Sequence, residues 1–397
     1  MRTSIPKSPL VAAIGSGALA LGLITAPGAA AGEPSTPAAP PLSPDHLQAL
    51  HRDLGLDPRQ AAELSPRTDA ARNLESAARE AAGAAFAGAV FDIGTGALTV
   101  GVTDRDAADA VDRLGAATEL VEHSEDELRD VKAGLDGAED AADDAVTGWY
   151  LDPADNTVVV TVLDGGAAAA ADLVEQAGVD ADAVTVEEVT ERPRTLAGAA
   201  APADGTDIQG GDRYYYPIDG RPFVCSVGFG VEGGYVTAGH CGAEGEGAFQ
   251  NTGLSVEIGR VAGSEFPGSD MGWVRTTGDW STTHRVNDHD GGSVAVAGAE
   301  EAPVGAAVCR SGATTGWRCG TIRAKDETVR YEEGAVKGLT RTDVCADGGD
   351  SGGPWVAGDQ AQGVTSGGTG TCRRGGTSYV QPLAPVLEAY DLTLLIT

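Results

Sequence analysis

All six cysteines of this 397-residue chain lie beyond residue 224: Cys225, Cys241, Cys309, Cys319, Cys345 and Cys372. An even number confined to one region points to a disulfide framework in a chain folded outside the reducing cytosol. It also divides the sequence into two parts that must stabilise themselves by different means. Six cysteines allow fifteen connectivities. The simplest set is three local bridges, 225–241, 309–319 and 345–372, each closing a loop of about 10 to 30 residues and contributing about 2–4 kcal/mol. Metal binding is the competing use of these side chains, but no C-x-x-C or H-x-x-x-H spacing occurs. No metal site and no cofactor is expected.

Texture changes at the same place. From residue 203 onward there are 38 of the 57 glycines, short β-branched runs and turn signals at close intervals. A single helix is expected there, over Leu383–Tyr390. That pattern predicts an all-β barrel or sandwich.

The N-terminus sets the compartment. Arg2 and Lys7 precede an apolar run from Leu10 to Ile24, which is followed by Pro27 and the small residues Ala29-Ala30-Ala31. This order matches a secretory signal, and the run is shorter than the roughly 20 residues a membrane-spanning helix needs. The formal net charge is −32, with both halves acidic. Such a chain is a poor partner for nucleic acid or an anionic membrane surface, so neither is expected.

Residues 32–44 read as a Pro-rich lead-in and residues 45–85 as two helices, with Asp57-Pro58 capping and opening one of them. Beyond 85 an internal repeat appears at an offset of 60. Ala87-Gly88-Ala89-Val90-Phe91-Asp92 aligns with Thr147-Gly148-Trp149-Tyr150-Leu151-Asp152. In each copy a turn, an alternating run (Leu98, Val100, Val102; Val158, Val160, Val162), an Ala-rich helix and a β-like run follow. The region therefore reads as two β-hairpin–helix–strand units joined by a helix over 124–136. Residues 190–206 form a linker of small residues, suited to cleavage.

The chemistry concentrates in Gly349-Asp350-Ser351-Gly352-Gly353-Pro354. A serine hydroxyl needs a base to take its proton and donors to stabilise the oxyanion it creates. His240 follows the apolar run Tyr235-Val236-Thr237-Ala238-Gly239 and abuts Cys241, where a bridge would anchor it. His284 and His289 lie in a polar stretch and read as solvated loop residues. Asp270 heads the apolar run Met271-Gly272-Trp273-Val274 and is the candidate buried acid. Asp279 and Asp288 read as turn or surface residues. Asp350 is expected to hold the serine loop through a buried partner.

The order His240, Asp270, Ser351 is that of chymotrypsin-type enzymes. Thr237-Ala238-Gly239-His240-Cys241, Ser269-Asp270, the serine motif, Thr365-Ser366-Gly367-Gly368, and Val308-Cys309-Arg310 through Trp317-Arg318-Cys319-Gly320 together resemble the streptogrisin and α-lytic protease family. Asp207-Ile208-Gln209-Gly210-Gly211-Asp212 resembles the start of a mature streptogrisin, and Trp149-Tyr150 through Val158-Val159-Val160 resembles the family's pro-domain. The resemblance implies a signal peptide over 1–31, a pro-region over 32–202 that catalyses folding and inhibits, and a protease domain over 203–397. It implies two six-stranded antiparallel β-barrels preceded by the α+β pro-domain.

By position, the resemblance makes Ser351 the nucleophile, His240 the proton shuttle and Asp270 its orienting acid, with the N–H groups of Gly349 and Ser351 as the oxyanion hole. Ser366, Gly367 and Gly368 would pair with substrate as an added strand. The pocket walls would be Ala346–Gly348 (Ala346 and Gly348 above all), Thr365 to Gly368, and Thr377. No acid stands at the pocket base and the walls are small, so a large apolar P1 side chain is expected. Gly348 stands where a streptogrisin proline is expected. The partners implied are peptide substrates and the chain's own pro-region, with a monomeric mature enzyme. The chain reaches Thr397 just after its last helix, so no appended carbohydrate-binding module is expected. A catalytically silent binding module and a serine esterase are the other readings; filled triad positions oppose the first, and the strand-forming Ser-Gly-Gly opposes the second.

Overall fold

Asp57 accepts hydrogen bonds from the backbone of Arg59 and Gln60, while the Gln60 side chain answers the Asp57 N–H; this capping box starts the longest helix among the described residues. The structure, a computed structural model, describes residues 43–196, 198–199, 207–278 and 280–397. The signal over 1–31, most of the lead-in, Asp279 and much of the 190–206 linker lie outside the described residues.

Two helices open the described chain, α1 (Pro44–Leu54) and α2 (Pro58–Ala82). The first copy of the repeat follows as β1 (Phe86–Asp92), β2 (Ala97–Val102), α3 (Arg105–Asp112) and β3 (Ala117–Leu120). After α4 (Glu125–Gly137) the second copy is β4 (Val146–Asp152), β5 (Thr157–Leu163), α5 (Ala167–Ala177) and β6 (Val184–Val189). In both copies the hairpin strands are antiparallel and the third strand returns parallel to the second. The tight hairpin turns place Gly96 at φ 74° and Asn156 at φ 51°, which glycine and asparagine tolerate best. The second copy closes over its own core, with Leu128, Leu135, Trp149, Val158, Val160 and Leu173 buried together.

Next come two short strands in the linker, β7 (Arg194–Thr195) and β8 (Gly198–Ala199). The C-terminal region continues as β9 (Asp207–Gly210), β10 (Arg213–Ile218), β11 (Arg221–Ser226), β12 (Gly230–Val231), β13 (Gly234–Thr237), β14 (Gly247–Phe249), β15 (Glu257–Glu265), β16 (Met271–Thr276), β17 (Ser281–Asn287) and β18 (Ser293–Ala295). It ends with β19 (Ala307–Gly312), β20 (Gly316–Arg330), β21 (Ala335–Thr342), β22 (Pro354–Ala357), β23 (Gln360–Thr371), β24 (Gly375–Pro382) and α6 (Leu383–Ala389). The first half orders its main sheet β12-β13-β16-β15-β14-β10-β11-β8, beside a smaller sheet β18-β17-β9. The second half runs β19-β22-β23-β24-β21-β20, and β19 also pairs with β20. The three disulfides are Cys225–Cys241, Cys309–Cys319 and Cys345–Cys372, the set of local bridges. No helix among the described residues is long and apolar enough to cross a membrane.

Three of the places where the N-terminal half meets the C-terminal β-region stand out. β4 adds to β20, with Thr328 opposite Trp149 and Val329 opposite Gly148. Asp136 reinforces that seam by accepting from the Trp149 indole N–H at 2.8 Å and the Thr328 hydroxyl at 2.7 Å. The first repeat shares a core with the C-terminal region, in which Phe91 and Val100 are buried with Val308 and Trp355. Thirdly, α1 lies on the Cys309–Cys319 hairpin: Arg52 donates to the Trp317 carbonyl at 2.8 Å, and Asp53 accepts from the Cys319 N–H at 2.9 Å.

Two readings of polar residues change. His284 is in a strand, β17, and not in a loop. Asp288 does serve a turn, accepting from the N–H groups of Asp290 and Gly292, but it is 1% exposed and no surface residue. The Ser43 hydroxyl, at the N-cap of α1, reaches its carboxylate at 3.4 Å.

Candidate active site

Backbone geometry brings three distant segments together. β13 ends in a short helical turn, Gly239–Cys241, that carries His240, and the Cys225–Cys241 bridge pins the turn to β11. Gly239 has to be glycine there, since a Cβ would stand 2.2 Å from the Glu265 carbonyl oxygen. Asp270 precedes β16 and has no solvent exposure. Ser351 sits in the loop before β22, between Gly349 at φ 100° and Gly352 at φ 78°. Only glycine enters those conformations without strain.

His240 Nε2 lies 2.7 Å from Ser351 Oγ, and His240 Nδ1 lies 2.9 Å from Asp270 Oδ2. The ionised Asp270 carboxylate can only accept, so Nδ1 carries the proton and Nε2 is left to accept from the serine hydroxyl. Asp270 is held in turn: its Oδ1 accepts from the His240 backbone N–H at 3.0 Å, and its own N–H donates to Gln381 Oε1 at 3.0 Å. Phe266 covers the imidazole, with ring centroids 5.6 Å apart. The arrangement can deprotonate a hydroxyl and return the proton to a leaving group.

The serine loop is braced from beneath. Asp350 has no solvent exposure and accepts from the N–H groups of Thr314, Thr315 and Asp347 at 2.9, 3.0 and 2.9 Å and from the Thr315 hydroxyl at 2.6 Å. Its buried partner is Arg310, equally unexposed, whose guanidinium lies 3.2 Å away and also donates to the Cys345 carbonyl at 2.8 Å. Burial pulls the Arg310 pKa down, against the raising influence of Asp350.

The chain's own linker occupies the cleft. β7 lies antiparallel on β23, with Thr195 opposite Gly367 and Arg194 opposite Gly368. Arg194 also donates to the Gly370 carbonyl at 3.0 Å, and Glu191 accepts from the Gly370 N–H at 2.5 Å. Beyond it the Leu196 N–H donates to Ser351 Oγ at 3.1 Å, while the Gly349 N–H donates to the Leu196 carbonyl oxygen. Leu196 is 2% exposed. β8 then joins β11 on the other side of the serine, Gly198 opposite Val224 and Ala199 opposite Phe223.

Of the expected binding residues, Gly348, Gly349, Ser351, Gly367 and Gly368 face this segment. A Cβ on Gly368 would touch Leu196 Cδ1 at 3.5 Å, and one on Gly198 would stand 2.4 Å from the Gly348 carbonyl. Thr365 differs: its hydroxyl accepts from the Trp355 indole N–H at 2.8 Å and donates to the Gly353 carbonyl at 3.2 Å, so it is committed to the interior. Ser366 pairs its hydroxyl with Tyr331 at 3.0 Å. Ala346 is buried in the loop leading to Gly348, and Thr377 stands opposite Thr369 in the β23–β24 pair. His289 is exposed in its loop, as read, and its Nε2 lies 3.0 Å from the Ser311 hydroxyl. Sequence reasoning missed Arg310, Gln381, Tyr331 and the linker residues Arg194 to Leu196. No local signal marks the last, because their place is set by pairing with the distant strand β23.

Similarity to known proteins covers almost the whole chain. Sequence signatures described as alpha-lytic protease pro N-terminal, alpha-lytic protease prodomain and trypsin match residues 59–121, 123–181 and 221–389. Streptogrisin-C of Streptomyces griseus is 44% identical over 408 residues, covering 99% of this chain and 85% of that protein. Serine protease 1 of Streptomyces fradiae is 33% identical, with 95% of each chain covered. Among solved structures, Thermobifida fusca protease A is 54% identical over 48% of this chain and 100% of its own, at a TM-score of 0.45.

Proposed function

The chain belongs to the streptogrisin and α-lytic protease family of serine proteases, and we propose that it is a secreted endopeptidase made as a self-processing precursor, with His240, Asp270 and Ser351 as its catalytic residues. The reading assigns residues 1–31 to a signal, 32–202 to the pro-region and 203–397 to the protease. One observation carries it: Ser351 Oγ is 2.7 Å from an imidazole oriented by a buried carboxylate, and a peptide carbonyl rests on the Gly349 N–H beside it.

In this reading His240 Nε2 takes the Ser351 proton as Oγ attacks the substrate carbonyl carbon. The Gly349 and Ser351 N–H groups stabilise the oxyanion. The imidazolium, steadied by Asp270, gives its proton to the leaving amine, and water then opens the acyl-enzyme by the same route. Backbone pairing to Ser366–Gly368 aligns the substrate, and the small walls near Ala346, Gly348 and Thr377 admit a large apolar P1 residue. Leucine at 196 fits that preference. The pro-region acts as folding template through its strand added to β20 and as inhibitor through the segment in the cleft. The released enzyme is a monomer.

Fluorophosphonate labelling of the secreted protein tests the nucleophile. Wild type should label and Ser351→Ala should not; absence of labelling in wild type overturns the reading. A P1 peptide library should favour Phe, Tyr or Leu, and preference for Glu or Ala over Phe would refute the pocket assignment.

A further inference from the structure

The linker threads the cleft in one register, and that register has a consequence beyond occupancy. Arg194 and Thr195 pair with Gly368 and Gly367, so Leu196 is the first residue past the added strand. Its N–H and its carbonyl oxygen meet Ser351 Oγ and the Gly349 N–H. Downstream, Gly198 and Ala199 pair with Val224 and Phe223. The polypeptide is therefore held on both sides of the serine by backbone pairing to two different sheets, as an uncut substrate would be.

A second observation fixes the register. A Cβ at position 198 would stand 2.4 Å from the carbonyl carbon and oxygen of Gly348 and from the Gly349 nitrogen. Only glycine fits against that loop. Sliding the linker by one residue in either direction would bring Ala197 or Ala199 to the spot, and each carries a Cβ. The sequence thus permits one alignment of this stretch on the oxyanion loop.

We infer that the bond between Leu196 and Ala197 is the chain's first cleavage site, cut intramolecularly, and that residues 197–206 remain as an N-terminal extension ahead of β9. This rests on the serine endopeptidase reading above. It moves the junction upstream of the 202–203 boundary drawn from composition. Ser351 Oγ bonds to the Leu196 carbonyl carbon, His240 carries the hydroxyl proton to the Ala197 nitrogen, and the C–N bond breaks. One water then attacks the ester; His240 returns its proton to Ser351, and Leu196 leaves as a carboxylate. Seven residues separate Ala199 from β9, and β8 pairs with β11, which pairs with β10, so the bond belongs to the same chain segment that builds the sheet beside Ser351.

The test uses the full chain secreted from a bacterial host, with the earliest fragments measured by intact mass. The expected pair is a pro-fragment ending at Leu196 and an enzyme beginning at Ala197, with a half-time unchanged over a hundredfold dilution. Leu196→Phe should process at a similar rate, while Leu196→Asp and Gly198→Val should slow it at least tenfold. An earliest junction anywhere else, or a half-time that lengthens in proportion to dilution, overturns the inference while peptidase activity still supports the parent reading. Loss of all processing and labelling in wild type would overturn both.

Discussion

Replacing Arg310 by methionine should damage both stability and turnover, although Arg310 touches no substrate. The substitution keeps most of the side-chain volume and removes the cation facing Asp350, which has no solvent exposure. Asp350 keeps its four donors, from Thr314, Thr315 and Asp347, but its charge is left without a counter-ion in a buried site. Removing one partner of a buried ion pair costs about 3–5 kcal/mol, because the remaining charge stays buried. At roughly 2–4 °C per kcal/mol for a domain of this size, the melting temperature should fall on the order of 10 °C. Asp350 sits between Gly349 and Ser351, so displacing its carboxylate also misplaces the oxyanion donor, and kcat should fall with KM little changed. Melting is read by tryptophan fluorescence in a Ser351→Ala background, where no self-cleavage intrudes, and kcat on a chromogenic ester in the active enzyme. Arg310→Lys should recover only part of the loss, since an ammonium cannot span Asp350 and the Cys345 carbonyl as the guanidinium does. A shift below about 3 °C with kcat retained would refute the argument that this pair braces the loop.

Gly148→Val should cut the yield of active secreted enzyme at least tenfold, because its Cβ would stand 2.3 Å from the Thr328 carbonyl in the β4–β20 seam; an unchanged yield would mean the seam does not template folding. His46 is buried against Trp317 with no partner for Nδ1, and its pKa is pushed down to about 4, chiefly by burial. The stability it lends α1 is full above its ordinary value of 6.5 and lost as pH falls towards 4, roughly 3 kcal/mol in all; hydrogen exchange over residues 44–54 should rise in that window, and not in His46→Phe. Glu327 is 1% exposed and its pKa is pushed up to about 7, mainly by burial and against the lowering influence of Arg341. The precursor holds this proton more tightly than the unfolded chain, so the contribution is full below 4.5 and lost as pH rises through about 7; Glu327→Gln should flatten that arm of the melting curve.

Much of the site was legible because its parts are local. The glycines flanking Ser351 need backbone conformations that other residues resist, and the bridges close short loops, so spacing alone suggested both. The duplicated pro-region could be aligned because each copy keeps its turn before an alternating strand. What escaped depends on contacts between distant segments. An arginine in a Ser-Gly-Thr run looks like a surface residue, yet Arg310 is wholly buried because Asp350, 40 residues on, supplies its counter-charge. Asp288 reads as polar surface until α1 covers it. Leu196 looked like one apolar residue in a cleavable linker; its place is set by pairing to β23 and β11, which sequence pattern does not display.

The claim on which everything turns is that Ser351 acts first on its own chain. Intact mass spectrometry of the wild-type and Ser351→Ala chains, expressed side by side, tests it most directly. The account predicts that wild type resolves into two fragments meeting between residues 196 and 197, while Ser351→Ala persists as a single uncut chain. Cleavage of Ser351→Ala at the same bond and the same rate would contradict it.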